Sequence, residues 1–274
     1  MQRKTIFIVG GLILVAGAIL AAALYNWVLG PTLASSGIPT AIPIVLVTAA
    51  PTTVAAQPTT TAAPPTSAAA TAGSPTEPAA ATSEPAATVI TAPSGMTIFE
   101  IDAAQSEARF IITEELRGQP KTVVGATNQV AGELALNPDD LSATQVGIIQ
   151  VEARSLSTDS SQRNQAIRNR ILNTDQYEYI TFTPTSVTGL SGSGAPGDTY
   201  TFQIAGNLTI RDVTQPVVFE ATAKADSLQQ LTGKATTTVQ RADYKLIIPN
   251  APGVANVGES VTLEIDFVAV AQAG

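Results

Sequence analysis

The sequence has 274 residues, a net charge of −8, and neither cysteine nor histidine. It therefore has no disulfide, thiolate nucleophile or imidazole base, and it lacks the commonest ligands of transition metals. Lys and Arg together number 14, too few for the clustered cations that bind a nucleic acid. We expect no metal, no cofactor, no nucleic-acid partner and no catalytic residues.

Residues 5–29 carry no charge and follow Arg3 and Lys4. As a helix, this stretch would be about 37 Å long, more than the ~30 Å hydrocarbon core of a bilayer. The preceding basic residues predict a cytoplasmic N-terminus and an extracytoplasmic remainder. Residues 1–29 are therefore predicted to anchor the chain in the cell membrane. The alternative is a cleaved signal peptide with small residues at 21–23, which would make the protein secreted.

Residues 30–95 consist mainly of Thr, Ala, Pro and Ser. Such a segment has too little apolar surface to offset the entropy lost on ordering. It is predicted to be a disordered linker that acts as a stalk. The short apolar run Ile42–Val47 interrupts it without indicating a role.

Residues 96–274 alternate between apolar and polar side chains with the period of β-strands, and turn residues separate the runs. The predicted strands are Ile98–Asp102, Ser106–Glu114, Val123–Leu136, Thr144–Ala153, Tyr179–Thr188, Thr199–Ile210, Val217–Ala225, Leu231–Val239 and Val261–Ala271. Gly125 and Gly132 predict bulges or bends. Apolar residues of both parities between 144 and 153 predict a strand that is covered on both faces. The pattern fits an antiparallel barrel or sandwich.

The period changes to that of a helix only at residues 163–172. Arg163, Ile167 and Ile171 are spaced i, i+4, i+8, which places them on one face. Residues 157–160 supply candidates for the N-cap. A short helix is therefore predicted inside an all-β domain, with an arginine on its apolar face.

That arginine has two interpretations. Arg163 could pair with a protein carboxylate such as Asp159 or Asp175 and fasten the helix to the sheet, which is the interpretation we favour. Alternatively, Arg163 or Arg170 could contact the anionic head group of a ligand at the end of a barrel.

An eight-stranded barrel has an interior that is either filled by side chains or wide enough for one ligand. The apolar residues expected to line it, as cavity or as core, are Phe110, Ile112, Ile167, Ile171, Phe182, Phe202 and Ile204. Glu114 and Glu115 are adjacent on a predicted strand and point to opposite faces, so they are expected to be surface charges instead of an acid–base pair.

An ordered set of motifs covers about 96–272. They are Ile101-Asp102, Ser106-x-Ala108-x-Phe110, Gly125, Gly132-x-Leu134, Arg163-Asn164-x-x-Ile167, Ile171-Leu172, Tyr177-x-x-Ile180-Thr181-Phe182, Gly206-x-Leu208 through Val217, and Arg241-x-Asp243-Tyr244. This set resembles the YceI-like family. The resemblance implies an all-β fold, an extended eight-stranded antiparallel lipocalin-like barrel with one short helix. It also implies an extracytoplasmic protein whose elongated apolar cavity holds a polyisoprenoid or similar long-chain lipid. Together with the missing catalytic residues, this indicates a non-catalytic protein.

The sequence departs from the family pattern at the helix. The usual Arg-Asp-x-His-Leu reads Arg163-Asn164-Gln165-Ala166-Ile167, so the acid and the histidine are missing and only the arginine carries over. Binding, storage or transport of an isoprenoid-type lipid is the function that the sequence favours. The alternative is a structural or partner-binding surface module with a filled barrel, presented on the stalk.

Overall fold

The computed structural model describes residues 33–44 and 95–272. Residues 95–272 form one antiparallel sheet of thirteen strands. The strands are β1 (Thr97–Ile101), β2 (Glu107–Leu116), β3 (Gln119–Thr127), β4 (Val130–Ala131), β5 (Glu133–Leu136), β6 (Gln145–Val146), β7 (Ile149–Glu152), β8 (Tyr179–Thr188), β9 (Thr199–Ile210), β10 (Val213–Ser227), β11 (Gln230–Gln240), β12 (Val254–Ala255) and β13 (Ser260–Ala271). Short 3-10 turns span Leu141–Ala143, Ala153–Ser155 and Arg241–Tyr244.

The sheet curls because its terminal strands, β4 and β6, are short segments of longer stretches that also pair elsewhere in the sheet. Strands β7 to β11 and β13 follow one another as antiparallel neighbours, and β13 pairs with both β1 and β2 along its length. Strands β3, β4 and β5 belong to one bent stretch, in which β4 pairs with β7 and β5 pairs with both β1 and β6. The all-β class and the antiparallel sheet are confirmed, and the curled sheet fits a lipocalin-like barrel.

Alternation along each strand decides which side chains fill the interior. On β9, Phe202, Ile204 and Leu208 are buried, whereas Gln203 and Asn207 between them are exposed. Successive side chains of a strand point to opposite faces, so one face of β9 lines the core and the other meets solvent. Most of the buried apolar residues of β8 to β11 form one cluster with those of the helical segment.

The helical segment has two parts. The helix α1 (Ser161–Ala166) is capped by Ser160, whose hydroxyl accepts a hydrogen bond from the Arg163 amide at 3.3 Å. It continues as a π-helical turn, Ile167–Ile171, in which the Leu172 amide donates to the Ile167 carbonyl at 2.8 Å. The single short helix is confirmed, but its predicted 3.6-residue period is wrong beyond Ala166, because the last turn is wider.

Residues 33–44, which the sequence places in the linker, lie against the sheet. We call them the strap. The strap donates four hydrogen bonds to carboxylates: from the Leu33 amide to Asp175 (2.9 Å), from the Ser35 hydroxyl and the Ser36 amide to Glu152 (2.7 and 3.2 Å), and from the Ile44 amide to Glu133 (2.9 Å). The Arg154 side chain donates to the Ala34 carbonyl (3.3 Å) and to the Ser36 hydroxyl (3.4 Å). These residues therefore differ from the predicted stalk, because carboxylates on the sheet bind their polar groups.

The predicted membrane anchor and the rest of the predicted linker, residues 30–32 and 45–94, lie outside the described residues. Within the described ranges, no helix is both long enough and apolar enough to cross a membrane.

Candidate functional site

Three adjoining cavities follow one another through the interior of the curled sheet. The mouth cavity has a volume of about 570 Å³, the middle cavity about 140 Å³, and the far cavity about 60 Å³. The mouth and middle cavities share the lining residues Phe110, Leu156, Ile180 and Leu263. The middle and far cavities share Leu134 and Phe202. The interior thus holds three largely apolar cavities in a row, and the shared side chains form the narrowings between them.

The mouth cavity lies between the sheet, the helical segment and the loop 245–259. Strand β2 contributes Ile112, and the helical segment contributes Ile167 and Ile171. Its volume falls within the range of about 300–1,000 Å³ that is usual for small-molecule sites. The lining residues Arg117, Ala251 and Pro252 are exposed, so the cavity reaches the surface there.

The middle cavity is lined almost entirely by apolar side chains. Phe110, Phe182, Phe202, Ile204 and Phe219 surround it. The rings of Phe182 and Phe219 meet edge to face, with centroids 4.9 Å apart and planes at 65°, an arrangement that aromatic pairs favour. All seven predicted apolar residues line either this cavity or the mouth cavity, and Phe110 lines both.

Glycines in the strands make room for these rings. A Cβ atom at Gly125 would lie 2.2 Å from the ring of Phe110, and one at Gly233 would lie 2.5 Å from the ring of Phe267. Each ring thus rests on the backbone of its cross-strand partner. Gly125, in the third predicted strand, is therefore explained by the close approach of the Phe110 ring.

Charged residues at the mouth cavity form a connected network. Arg163 contacts Glu114 at 2.6 Å and also pairs with Asp159. Lys121 binds the second oxygen of Asp159 at 2.5 Å. Hydrogen bonds from Lys121 and from Arg163 lower the pKa of the Asp159 carboxyl. Arg163 therefore lines the cavity while both of its carboxylate partners belong to the protein, which is the geometry of a fastening contact.

Glu114 was expected to be a surface charge, and that expectation is wrong. Glu114 is only 7% exposed. The pairing with Arg163 compensates for its removal from water. The other head-group candidate, Arg170, is half-buried in the π-helical turn and does not line any of the three cavities.

The two departures from the family motif have separate structural consequences. The Asn164 side-chain oxygen accepts hydrogen bonds from the amide and the hydroxyl of Thr158, at 2.8 and 2.7 Å. It therefore holds the loop before the helix. Ala166, at the position of the family's histidine, lines the mouth cavity with a methyl group. The wall of this cavity is accordingly less polar than the motif implies.

Sequence reasoning missed the loop 245–259 as part of the site. Leu246, Ile248, Val254 and Val257 of this loop line the mouth cavity. The apolar run Leu246–Ile248 directly before a turn was the available signal. No group of three or more acidic side chains in the described part of the chain could hold a metal ion.

Comparisons with known proteins agree with this architecture. The family model of the YceI-like domain matches residues 99–269. None of the curated proteins is similar enough to count as a relative. Among solved structures, a polyisoprenoid binding domain from Saccharophagus degradans implicated in plant cell wall breakdown aligns with a TM-score of 0.50 at 14% identity, covering 64% of this chain and 98% of its own.

Two further structures are similar at a lower level. BcnA of Burkholderia cenocepacia aligns with a TM-score of 0.48 at 16% identity, covering 62% of this chain and 99% of its own. A YceI protein of Campylobacter jejuni aligns with a TM-score of 0.42 at 14% identity, covering 53% of this chain and 82% of its own. The match to the family model spans more than half of the sequence. The chain belongs to the YceI-like family.

Proposed function

We propose that this protein binds one long-chain lipid of the isoprenoid type along its interior and does not transform it. The observation that carries the proposal is the row of three adjoining apolar cavities. A filled barrel, which the alternative function requires, would leave no cavity of about 570 Å³. The polyisoprenoid binding described for the Saccharophagus degradans domain supports the same ligand class.

Burial of the apolar chain supplies the affinity. Each methylene removed from water contributes about 0.8 kcal/mol, so several isoprene units provide a large favourable term even without a strong head-group contact. The tail would occupy the middle cavity, whose lining is apolar, and the head group would lie among the charged residues of the mouth cavity.

The charged residues at the mouth are poorly suited to acid–base catalysis. Glu114 and Asp159 are both engaged by Arg163. The Asp159 carboxyl, whose pKa is lowered by Lys121 and Arg163, is a weak base. Storage or transport of the lipid therefore fits these groups better than a reaction does.

We further propose that residues 5–29 anchor the protein in the cell membrane and place the sheet domain outside the cytoplasm. The uncharged run and the basic residues before it support this orientation. Protease added to intact cells should digest the sheet domain; protection until the cells are lysed would contradict the orientation.

The lipid-binding proposal can be tested with matched substitutions on β11. Ala235 is buried and lines the middle cavity, whereas Thr238 lies exposed on the same strand. In Ala235→Phe the new ring fills the middle cavity; in Thr238→Phe it faces solvent. The full chain and both variants are purified in detergent, exposed to a polyprenyl lipid, and analysed by native mass spectrometry and lipid extraction.

We expect one lipid per chain in the unsubstituted protein and in Thr238→Phe, and at least tenfold less in Ala235→Phe. Circular dichroism shows whether Ala235→Phe keeps its β-structure. Equal lipid content in a folded Ala235→Phe would place the lipid outside the interior. Absence of lipid from the unsubstituted protein would contradict the function itself.

A further inference from the structure

The two ends of the sheet differ in charge. Three loops border the far cavity, at residues 137–144, 189–198 and 226–229. Their charged residues are four aspartates and no lysine or arginine, namely Asp139, Asp140, Asp198 and Asp226. Of these, Asp226 is paired with Lys224 at 2.8 Å. The far end is therefore acidic.

The mouth end holds most of the positive charge. Eight Lys and Arg residues lie in the segments that border the mouth cavity, namely Arg117, Lys121, Arg163, Arg168, Arg170, Arg211, Arg241 and Lys245. The seven acidic residues of the same segments are Glu114, Glu115, Asp159, Asp175, Asp212, Asp243 and Glu259. The mouth end is thus slightly positive in a chain whose net charge is −8.

Two of these eight cations are exposed, one in the turn after β2 and one at the start of the loop 245–259. Arg117 and Lys245 are exposed, and neither forms an ion pair with any described residue. The Arg117 amide donates to the Gly253 carbonyl at 2.6 Å, so the turn after β2 lies beside the loop 245–259. The rim of the mouth consequently presents two free charges to a partner.

An exposed aliphatic side chain accompanies these charges. Ile247 is 77% exposed and lies two residues from Lys245. Ala251 and Pro252 of the same loop are also exposed. Leu228 is comparably exposed at 69%, but it lies at the acidic far end. Aliphatic groups next to unpaired cations are the combination that binds the interface of an anionic membrane.

The N-terminal end of the strap lies at the same end of the sheet. The Leu33 amide is bound to Asp175, in the loop that follows the π-helical turn. The uncharged segment ends at Leu29, four residues earlier. Four extended residues reach about 14 Å. A membrane anchor at residues 5–29 would hold the mouth, and not the far end, close to the bilayer.

We propose that the mouth end docks on the surface of an anionic lipid bilayer, with Arg117, Lys245 and Ile247 at the contact. The cavity then opens toward the membrane, and a long-chain lipid passes between bilayer and interior without crossing water. The acidic loops of the far end oppose the reverse orientation. Docking itself does not require an occupied cavity, although its purpose rests on the proposed lipid binding.

The absence of cysteine allows the orientation to be measured in the full chain. Ile247→Cys and Ser191→Cys each introduce a single thiol for an environment-sensitive fluorophore. Ser191 is exposed in a far-end loop and does not line the far cavity. The labelled chains are reconstituted into vesicles of phosphatidylcholine and phosphatidylglycerol, with a lipid that carries a spin-label quencher near its head group.

We expect at least fivefold stronger quenching at position 247 than at position 191. Replacing Arg117 and Lys245 by glutamine in the Ile247→Cys chain should weaken docking by about fivefold for each cation removed. Docking should be similarly weak on vesicles that contain phosphatidylcholine alone. Equal quenching at the two positions, stronger quenching at 191, or quenching at 247 that is indifferent to charge would overturn the proposal.

Lipid content, measured on the same preparations, separates this proposal from the preceding one. A charge variant that keeps its bound lipid but loses the quenching difference supports docking as an independent property. A chain that contains no lipid yet shows the difference would refute the proposed cavity function and leave the docking surface established.

Discussion

Gly125 and Phe110 face each other across β3 and β2, at the narrowing between the mouth and middle cavities. In Gly125→Ala, the added methyl group would push the ring toward the cavity because a Cβ there lies 2.2 Å from it. We expect a loss of about 1–3 kcal/mol in the free energy of unfolding and a smaller capacity for lipid. Urea unfolding and native mass spectrometry measure the two effects.

The double variant Gly125→Ala/Phe110→Leu is the control for this pair. The shorter leucine leaves room for the methyl group. The double variant should therefore lose less free energy of unfolding than the sum of the losses in the two single variants. Additive effects would mean that the ring and the glycine do not interact.

The buried side chain of Tyr244 gives a second prediction at the residue scale. It is 1% exposed, and its hydroxyl has no hydrogen-bond partner within the described part of the chain. Burial, and to a smaller extent the charge of Asp243, raises its pKa from 10.0 to about 12. Because the folded pKa is the higher one, its stabilising contribution is complete below pH 10 and is lost as the pH rises toward 12.

Tyr244→Phe should therefore unfold with the same free energy at pH 7, or with up to about 1 kcal/mol more, because an unpaired hydroxyl leaves the core. Its stability should also fall less than that of the unsubstituted protein between pH 10 and 12. Denaturant titrations at pH 7, 10 and 11 test both statements. A loss above 1 kcal/mol at pH 7 would show that the hydroxyl has a partner.

At the scale of elements, Arg163 joins α1 to β2 through Glu114. Arg163→Ala would leave a buried carboxylate without its cation, at a cost of about 1–3 kcal/mol. Arg168→Ala is the matched control, since Arg168 lies in the adjoining turn and forms no ion pair with a described residue. Thermal unfolding and lipid content are measured together. A lower lipid content at unchanged stability would assign Arg163 to the head group instead.

The strap is the second element whose attachment can be probed. The Ser35 hydroxyl donates to Glu152, which is fully buried. Ser35→Ala removes this donor, so the amides of the strap should exchange with deuterium at least tenfold faster. Thr40→Ala is the control, because Thr40 is exposed in the same segment. Unchanged exchange in Ser35→Ala would show that the other contacts hold the strap without this hydrogen bond.

The local sequence pattern was sufficient to predict a strand where only one face of that strand is buried. The predicted bounds of β8 and β9 agree with the structure, because turns limit each run on both sides. In β8 the bounds hold even though the register shifts between Pro184 and Ser186. Strands β1–β2, β3–β5 and β6–β7 each form one interrupted stretch, and with β8, β9, β10, β11 and β13 they make eight long stretches. The eight-stranded count implied by the family resemblance is compatible with these breaks.

Pattern failed where a distant contact decides the local conformation. Apolar residues of both parities at 144–153 suggested two covered faces, but the break at Gly147 and Ile148 moves Val146 and Ile149 to the same interior. The order of the strap depends on a carboxylate 117 positions away, which its Pro- and Ser-rich composition does not reveal. The apolar cavity residues were predictable from parity; the loop that completes the mouth was not, because only tertiary packing brings it there.

At the scale of the whole molecule, the acidic residues determine how stability depends on pH. Hydrogen bonds from Lys234 and Arg109 lower the pKa of Glu264, and Lys121 and Arg163 lower that of Asp159. A carboxyl group with a lowered folded pKa contributes its full stabilisation above the unfolded pKa, which is about 4 for Asp and Glu. That contribution is lost as the pH falls further, through the folded value.

The chain has no histidine, so no side chain with an ordinary pKa titrates between pH 5 and 8. We expect the urea midpoint of unfolding to stay constant across that interval and to fall below pH 4.5. Glu264→Gln should reduce the acid-induced loss, because glutamine keeps the shape of the side chain and does not titrate. A midpoint that already falls between pH 7 and 5 would reveal a carboxyl group with a raised pKa, and the variant would show whether it is Glu264.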